Sequence, residues 1–467
     1  MTNHTNANNT DAHHKNKDDT TKMEELTNNS ERHAIVLYGA TSFVGQITAH
    51  YLAQFLSDSK SQDNSDSTND KPQNNASHKN ITWAIAGRDE DKLKKLQAEI
   101  NAAQKDNDTN TSVDILIANS DDAASLDAMT KQTKVIISTV GPYLKYGEPL
   151  IKSCAENGTD YVDLTGEAIF IKDMLDKYQD AAQKSGARII NSCGFDSIPS
   201  DLGVYFTQQQ AEAQFNKACE VINMRVKAAK GGLSGGTIAS MATIFEDVAQ
   251  DKERRRQLAN PYLLNDDINV PNVRQDNVSK PEYDTKHERW LAPFVMAIIN
   301  TRIVHRSNQL LDYEYGRDFK YDEAMWMKDG VKGQLMSYGL SIGLLGFATA
   351  MTFKPSREFL SKHVLTKSGD GPSKSEQDNG FFDIRFFGKT SENETITTKV
   401  TGDKDPGYGS TSSMLAQSAL CLAQDIAKDD IKGGFWTPAS AMGDKLLTRL
   451  ETHAGICFEV IKDNSSN

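Results

Sequence analysis

The chain has 467 residues, with 52 Lys and Arg against 64 Asp and Glu and a net charge of −12, enough length for two or three domains that each bury a core. With Arg254, Arg255 and Arg256 as its tightest cationic cluster, the acidic chain makes nucleic acid a poor partner. The five cysteines (Cys154, Cys193, Cys219, Cys421 and Cys457) form no CxxC pair, which speaks against a disulfide framework and against a metal site, and for a reduced compartment.

Met1–Ser30 is mostly Asn, Thr, Asp, Lys and His. It cannot bury enough apolar surface to offset its ordering entropy, so residues 1–30 are expected to be a disordered tail. It carries no secretory signal, and a cytoplasmic location is expected. Residues 31–200 then alternate between strand and helix patterns. Ala34–Tyr38 is an apolar strand, Gly39–Gly45 a turn, and Gln46–Phe55 a helix. The polar stretch Ser57–Asn80 is expected to be a disordered insertion. The alternation resumes with strand Thr82–Ala86, helix Asp91–Ala102, strand Val113–Ala118, helix Asp122–Met129 and strand Val135–Val140. It closes with helix Pro149–Glu156, strand Tyr161–Leu164, helix Ile169–Lys184 and strand Arg188–Asn191. Six strands with helical crossovers predict an α/β fold, a Rossmann-type doubly wound parallel sheet.

After Ser200 the rhythm changes. Glu220–Ala229 alternates like a half-exposed strand, a glycine-rich turn and helix follow at Gly231–Val248, and Phe381–Gly388 and Thr395–Thr401 read as antiparallel strands. Residues 201–405 are expected to form an α+β substrate domain, and 406–455 a helical segment.

Gly39-Ala40-Thr41-Ser42-Phe43-Val44-Gly45 has GxxSxxG spacing between a strand and a helix. Gly39 permits the sharp exit from the strand, and Gly45 lets the helix pack close to the sheet. The N–H groups of Thr41, Ser42, Phe43 and Val44 are candidates to receive a pyrophosphate. Ser42 stands where glycine is more usual, and its hydroxyl either crowds the pyrophosphate or donates to it. The second strand ends at Arg88 rather than at the carboxylate that an NAD site places against the ribose 2′-OH. The Arg88 guanidinium suits a 2′-phosphate, so NADP is the expected cofactor. Asp89 reads as the N-cap of the next helix. Thr139, Gly141 and Pro142, after the fourth strand, are placed to face the ribose–nicotinamide half.

Eight stretches, spread from Ile35 to Leu450, together resemble the saccharopine dehydrogenase-like oxidoreductases, in the branch of the trans-acting enoyl reductases. They are YGATSFVG, AIAGRDEDKL, STVGPYLKYGEPL, GTDYVDLTGE, NSCGFDSIPSDLG, GGLSGGTIASM, DPGYGSTSSMLAQSALCLA and GGFWTPASAMGDKLLTRL. The resemblance implies an NADP-type Rossmann domain, a substrate domain, and a C-terminal segment that returns to the first domain. It also implies reduction of a lipid-like or amino-acid-derived substrate.

Hydride transfer needs a substrate pocket and usually a proton donor near the nicotinamide. Candidates at the strand ends are Tyr143, Asp163, Glu167 and Asp196. Three also have a structural reading: packing for Tyr143, helix capping for Glu167, and N-capping by Asp196-Ser197 ahead of Ile198-Pro199. Cys193 reads as a small buried residue rather than a reactive thiol. Gly231–Thr237 either holds an anionic or carbonyl group of substrate or is a tight turn with Thr237 as cap, and Asp405–Gly409 reads as a structural turn. The uncharged segment 333–353 is long enough to span a bilayer. Splitting one compact unit across a membrane is implausible, so a buried helix or substrate wall is favoured, with peripheral membrane docking as the alternative. A lipophilic small molecule is the expected partner, and a homodimer stays open. The function read from these residues is NADPH-dependent reduction of a C=C or C=O/C=N bond. The alternatives are a saccharopine-type amino-acid dehydrogenase and a lipid-associated NADP-binding protein without turnover.

Overall fold

The computed structural model describes residues 32–63, 81–104, 113–231, 234–266, 271, 273–363 and 371–462. The tail at 1–30 and most of the 57–80 insertion lie outside them. The first unit runs β1 (His33–Tyr38), α1 (Phe43–Asp63), β2 (Trp83–Gly87), α2 (Glu90–Gln104), β3 (Asp114–Ile117), α3 (Ala123–Lys131) and β4 (Thr133–Ser138). It continues with α4 (Tyr143–Tyr146), α5 (Glu148–Asn157), β5 (Asp160–Asp163), α6 (Ala168–Ser185) and β6 (Arg188–Ile190). One difference from the sequence reading is the length of α1, which runs on through residues 57–63. At the start of this extension Ser57 is buried, next to Phe55, whose ring sits 5.0 Å from His453.

The second unit begins along α7 (Ile198–Phe215) and runs β7 (Cys219–Lys230), α8 (Gly235–Gln250), α9 (Lys252–Ala259), β8 (Glu282–Asp284) and β9 (Arg289–Pro293). After α10 (Ala297–Leu310) and β10 (Lys320–Trp326) come α11 (Gly330–Thr352), α12 (Lys354–His363), α13 (Lys374–Asp378), β11 (Phe381–Thr390) and β12 (Thr395–Gly402). The chain closes with α14 (Gly409–Gln424), β13 (Gly434–Trp436), α15 (Pro438–His453) and β14 (Ile456–Val460).

The first sheet has strand order β13-β6-β5-β4-β1-β2-β3, with parallel pairing throughout. Side chains alternate across it, so Ile35 and Leu37 of β1 enter one core while Val36 and Tyr38 enter the other. Burial on both faces is why β1 reads as a continuous apolar run. The seventh strand comes from the C-terminal segment, which returns to this sheet, with α14 packed beside α1 and β4. The Arg188 and Asp160 side chains, each 2% exposed, pair at 2.5 Å. Arg188 also donates to the carbonyls of Leu422, Ile426 and Ala427, fixing the end of α14 to β6.

The second sheet is mixed, in the order β14-β12-β11-β7-β10-β9-β8, with β7 and β10 parallel and the other pairs antiparallel. Helix α7 spans the junction between the sheets and packs on β11 and β12. The buried-helix expectation for 333–353 is corrected. Helix α11 is long and apolar enough to cross a membrane, yet only 11% of its apolar window is buried. It lies on β9 and α8, and no described element covers its other side.

Candidate cofactor and active site

The turn between β1 and α1 is built for close approach. Gly39 has φ +85, and a Cβ there would lie 2.7 Å from Thr139 Oγ1. At Gly45 a Cβ would lie 2.3 Å from the Gly39 carbonyl oxygen, so neither position admits a side chain. The Thr139 hydroxyl donates to the Gly39 oxygen at 2.9 Å and lies 3.0 Å from the Ser42 hydroxyl. Ser42 Oγ also accepts from Gly45 N at 3.0 Å. Ser42 therefore caps the helix from inside, and its hydroxyl is turned toward Thr139. Within the described residues no hydrogen bond takes the amides of Thr41, Phe43 and Val44, which leaves a set of free donors at a helix N-terminus. The Phe43 ring contacts Tyr408 edge-on at 5.0 Å. Tyr408 in turn accepts from Gly235 N of α8 at 3.1 Å, so the turn abuts the second unit.

Arg88 is exposed at the end of β2 and makes no hydrogen bond or ion pair with another described residue. Its neighbour Asp89 is occupied, accepting from Lys92 N at 3.1 Å as the cap of α2. A free guanidinium and an engaged carboxylate stand where the adenosine ribose of a dinucleotide would lie. After β4, Gly141 and Pro142 form a cis peptide leading into α4.

The four catalytic candidates gather at the carboxyl edge of the sheet but differ in what holds them. Tyr143 is buried, and its hydroxyl donates to the Ser138 carbonyl at 3.0 Å. Burial pushes this phenol well above its usual range, with nearby Asp163, Asp196 and Glu167 adding to the shift. Its proton is committed to the end of β4. Asp163 is wholly buried and accepts four hydrogen bonds, from Thr165 N, Ser192 N, Asn191 Nδ2 and Tyr161 Oη, at 2.8–3.1 Å. Burial pushes its carboxyl up to about 6. Those bonds tie the ends of β5 and β6 together.

Glu167 does not cap its own helix. Its carboxylate reaches α4 instead, accepting from Tyr143 N at 2.9 Å and Leu144 N at 2.7 Å, and from Ser240 Oγ of α8 at 2.5 Å. It clamps the cofactor-side loop to the second unit. Burial raises its pKa against these three donors. Asp196 is different. Its side chain is 8% exposed, and no other side chain donates to it. Burial pushes its carboxyl up to about 7, with the nearby Asp163 charge adding to the shift. It does not act as a cap, and Ser197, the N-cap of α7, makes no capping bond either. The carboxyl faces Gly166 and Gly194, where a Cβ would meet Asp196 oxygens at 3.5 and 3.1 Å alongside Met296, Ile299, Leu164 and Thr411. A side chain at either glycine would press on this carboxyl.

A further buried carboxyl, Glu323 of β10, was not anticipated. It accepts from Tyr321 Oη at 2.7 Å and Asn300 Nδ2 at 3.0 Å, and Asn300 Oδ1 accepts from Ser197 Oγ at 3.0 Å. This chain of bonds braces the start of α7 beside Asp196. Ser240, Asn300 and Glu323 come from the second unit, and nothing in their local spacing marks them. In the Gly231–Thr237 loop the cap of α8 is Ser234, accepting from Thr237 N at 3.0 Å, rather than Thr237. Asp405 accepts from the amides of Tyr408 and Gly409, a structural turn that starts α14. Cys193 is fully buried, which drives its thiol far above the reactive range.

An open parallel sheet with a glycine turn of free amides at its carboxyl edge defines a dinucleotide-binding protein of Rossmann type. The saccharopine dehydrogenase NADP-binding domain family matches residues 72–190, from after the glycine turn to the end of β6. A Mycobacterium tuberculosis protein provisionally named a trans-acting enoyl reductase is 36% identical over 440 residues, covering 92% of this chain and 97% of its own. The trans-acting enoyl reductase of Mycobacterium leprae is 33% identical over 435 residues, covering 90% of this chain and 96% of its own. Among solved structures, saccharopine dehydrogenase (L-Glu forming) from Saccharomyces cerevisiae overlays with TM-score 0.49 at 12% identity, covering 92% of this chain and 99% of its own. The chain belongs to the saccharopine dehydrogenase-like family of oxidoreductases, in its trans-acting enoyl reductase branch.

Proposed function

We propose that the protein is an NADPH-dependent reductase of a lipophilic substrate, acting on the C=C bond of an enoyl-type compound or on a related C=O or C=N bond, with Asp196 as proton donor. The observation that carries the reading is the pairing of a phosphate-ready turn at Gly39–Gly45 with a buried carboxyl, raised to about 7 and bonded by no other side chain, at the same edge of the sheet. The amides of Thr41, Phe43 and Val44 receive the pyrophosphate. Arg88 pairs with the 2′-phosphate that distinguishes NADP from NAD. Gly141 and Pro142, held by Glu167 through α4, border the nicotinamide.

When bound, the reduced nicotinamide supplies a hydride to one carbon of the double bond. Asp196 gives its proton to the other carbon, becomes a carboxylate, and regains a proton from solvent. The raised pKa keeps the donor protonated up to near neutral pH. A saccharopine-type dehydrogenase would need cations for its substrate carboxylates. The other side chains beside Gly166 and Gly194 are instead Met296, Ile299, Leu164 and Thr411, none of them a cation. The enoyl reductase names of the relatives favour the same choice.

The test follows NADPH absorbance against a panel of enoyl thioesters, enones, imines and saccharopine. Wild type oxidises NADPH with an enoyl or enone member of the panel, and kcat falls as the pH rises above about 7. Asp196→Asn lowers kcat about a hundredfold or more while NADPH binding holds. Turnover with saccharopine alone, no turnover with any member, or an equally active Asn variant overturns the proposal.

A further inference from the structure

We propose that α11 and the start of α12 form a docking surface for an anionic bilayer, on which the protein sits peripherally. Helix α11 is 23 residues long and carries no charge between Lys332 and Lys354. Val331, Leu335, Tyr338, Ile342 and Leu345 follow one another along it at helical spacing, Phe353 stands just past its end, and the six are 47–72% exposed. Six large side chains in one exposed stripe are far outside what a water-facing helix carries.

The opposite side of α11 is fixed to the protein. Ser337 Oγ donates to the Leu291 carbonyl of β9, and Phe347 packs on Phe245 of α8 at 6.4 Å. Arg357 of α12 holds Glu246 of α8 at 2.9 Å. The stripe is therefore presented rigidly.

Charge and aromatic placement identify the occupant. The chain as a whole has net charge −12, yet residues 328–367 hold six Lys and Arg against two Asp and Glu. Lys328 and Lys332 are exposed at one end of the helix, with no ion pair among the described residues. Tyr338, Trp290 and Tyr283 form a ring cluster at that same end, with centroids 6.2 and 5.4 Å apart. An apolar stripe, amphipathic rings at its edge and a cationic flank at Lys328 and Lys332 match the layers of an anionic membrane surface.

A second copy of the chain fits less well. A helix face about 35 Å long and about 10 Å wide offers roughly 350 Å², short of the ~800 Å² per partner of a stable interface. The surface also continues into the catalytic region, because α8, to which α11 and α12 are fixed, places Ser240 on Glu167. Docking thus brings the roof of the site to the lipid. The docking claim does not depend on the reductase reading, because its test uses no substrate.

The experiment is flotation of the full-length protein with vesicles of phosphatidylcholine alone or mixed with phosphatidylglycerol, with light scattering of the lipid-free protein alongside. Wild type floats with the anionic vesicles, less so as salt rises. Leu335→Glu with Ile342→Glu lowers partitioning by roughly a hundredfold. Lys328→Glu with Lys332→Glu lowers it by roughly thirtyfold or more and removes most of the salt dependence. Circular dichroism and NADPH binding confirm that both variants are folded. Wild type that stays in solution with both vesicles overturns the proposal, as does a Glu variant that floats like wild type. A stable lipid-free dimer that the Leu335/Ile342 variant converts to monomer would give the surface to a second copy and also overturn it.

Discussion

Replacing Glu167 probes the join between the cofactor loop and the second unit. The carboxylate is fully buried and accepts three hydrogen bonds, with Oε1 serving Tyr143 N and Ser240 Oγ and Oε2 serving Leu144 N. In Glu167→Gln the amide keeps its oxygen toward the two Oε1 partners. Its NH2 group then turns against Leu144 N, a donor facing a donor, at a cost of about 2 kcal/mol. Glu167→Ala removes both acceptors and strands two buried amides, for about 4 kcal/mol with the cavity included. Urea unfolding measures both, and the midpoints should fall in the order wild type, Gln, Ala. Because the lost bonds hold the first residues of α4, directly after Gly141 and Pro142, NADPH affinity should weaken in the same order in a fluorescence titration. An Ala variant that unfolds at the wild-type urea concentration would refute the clamp, however its activity changes.

Other expectations follow from buried charge. Arg188→Leu leaves Asp160 with Lys428 as its remaining cation and strips the carbonyls of Leu422, Ile426 and Ala427 of a donor. It should cost about 3–5 kcal/mol in urea unfolding, and a loss under 1 kcal/mol, about the worth of a surface pair, would contradict the docking role. Asp201 caps α15 through Ala439 N at 2.8 Å, and burial pushes its carboxyl up to about 7 from 3.8. A raised native pKa means that the folded state binds the proton which the unfolded chain has already released. The stability advantage of wild type over Asp201→Asn should therefore shrink as the pH rises from about 4 to about 7 and stay level above, by on the order of 4 kcal/mol. Urea unfolding at stepped pH reads it, and a gap that widens with pH would reverse the assignment. At the glycine turn, Gly45→Val should abolish nucleotide binding, because its Cβ would sit 2.3 Å from the Gly39 carbonyl oxygen. A variant that is folded by circular dichroism and binds NADPH like wild type would contradict that.

The parts legible in the sequence were those that local pattern controls. Short apolar runs marked the strands from β1 to β6, and glycine spacing marked the cofactor turn. Other features depended on distant partners. β13 is three residues long, and pairing with β6 alone makes it a strand. β10 reads KYDEAMW, and its acidic pair hides it, because Asp322 is neutralised by Arg225 on one face and Glu323 is held by Tyr321 and Asn300 on the other. In the site, chain order brought Tyr143, Asp163, Glu167 and Asp196 to the sheet edge, but their bonds decide what each can do. Glu167 took Ser240 from α8, Asp163 took four donors, and Asp196 took none from another side chain. The apolar composition of α11 suggested burial, yet composition alone does not show whether another layer covers a helix.

The most direct test of the account is calorimetric titration of NADPH and NADH into wild type and Arg88→Ala. Wild type should bind NADPH at least about tenfold more tightly than NADH, and the variant should lose most of that preference while its NADH affinity changes little. No heat of binding with either nucleotide, or an equal loss for both in the variant, would contradict it.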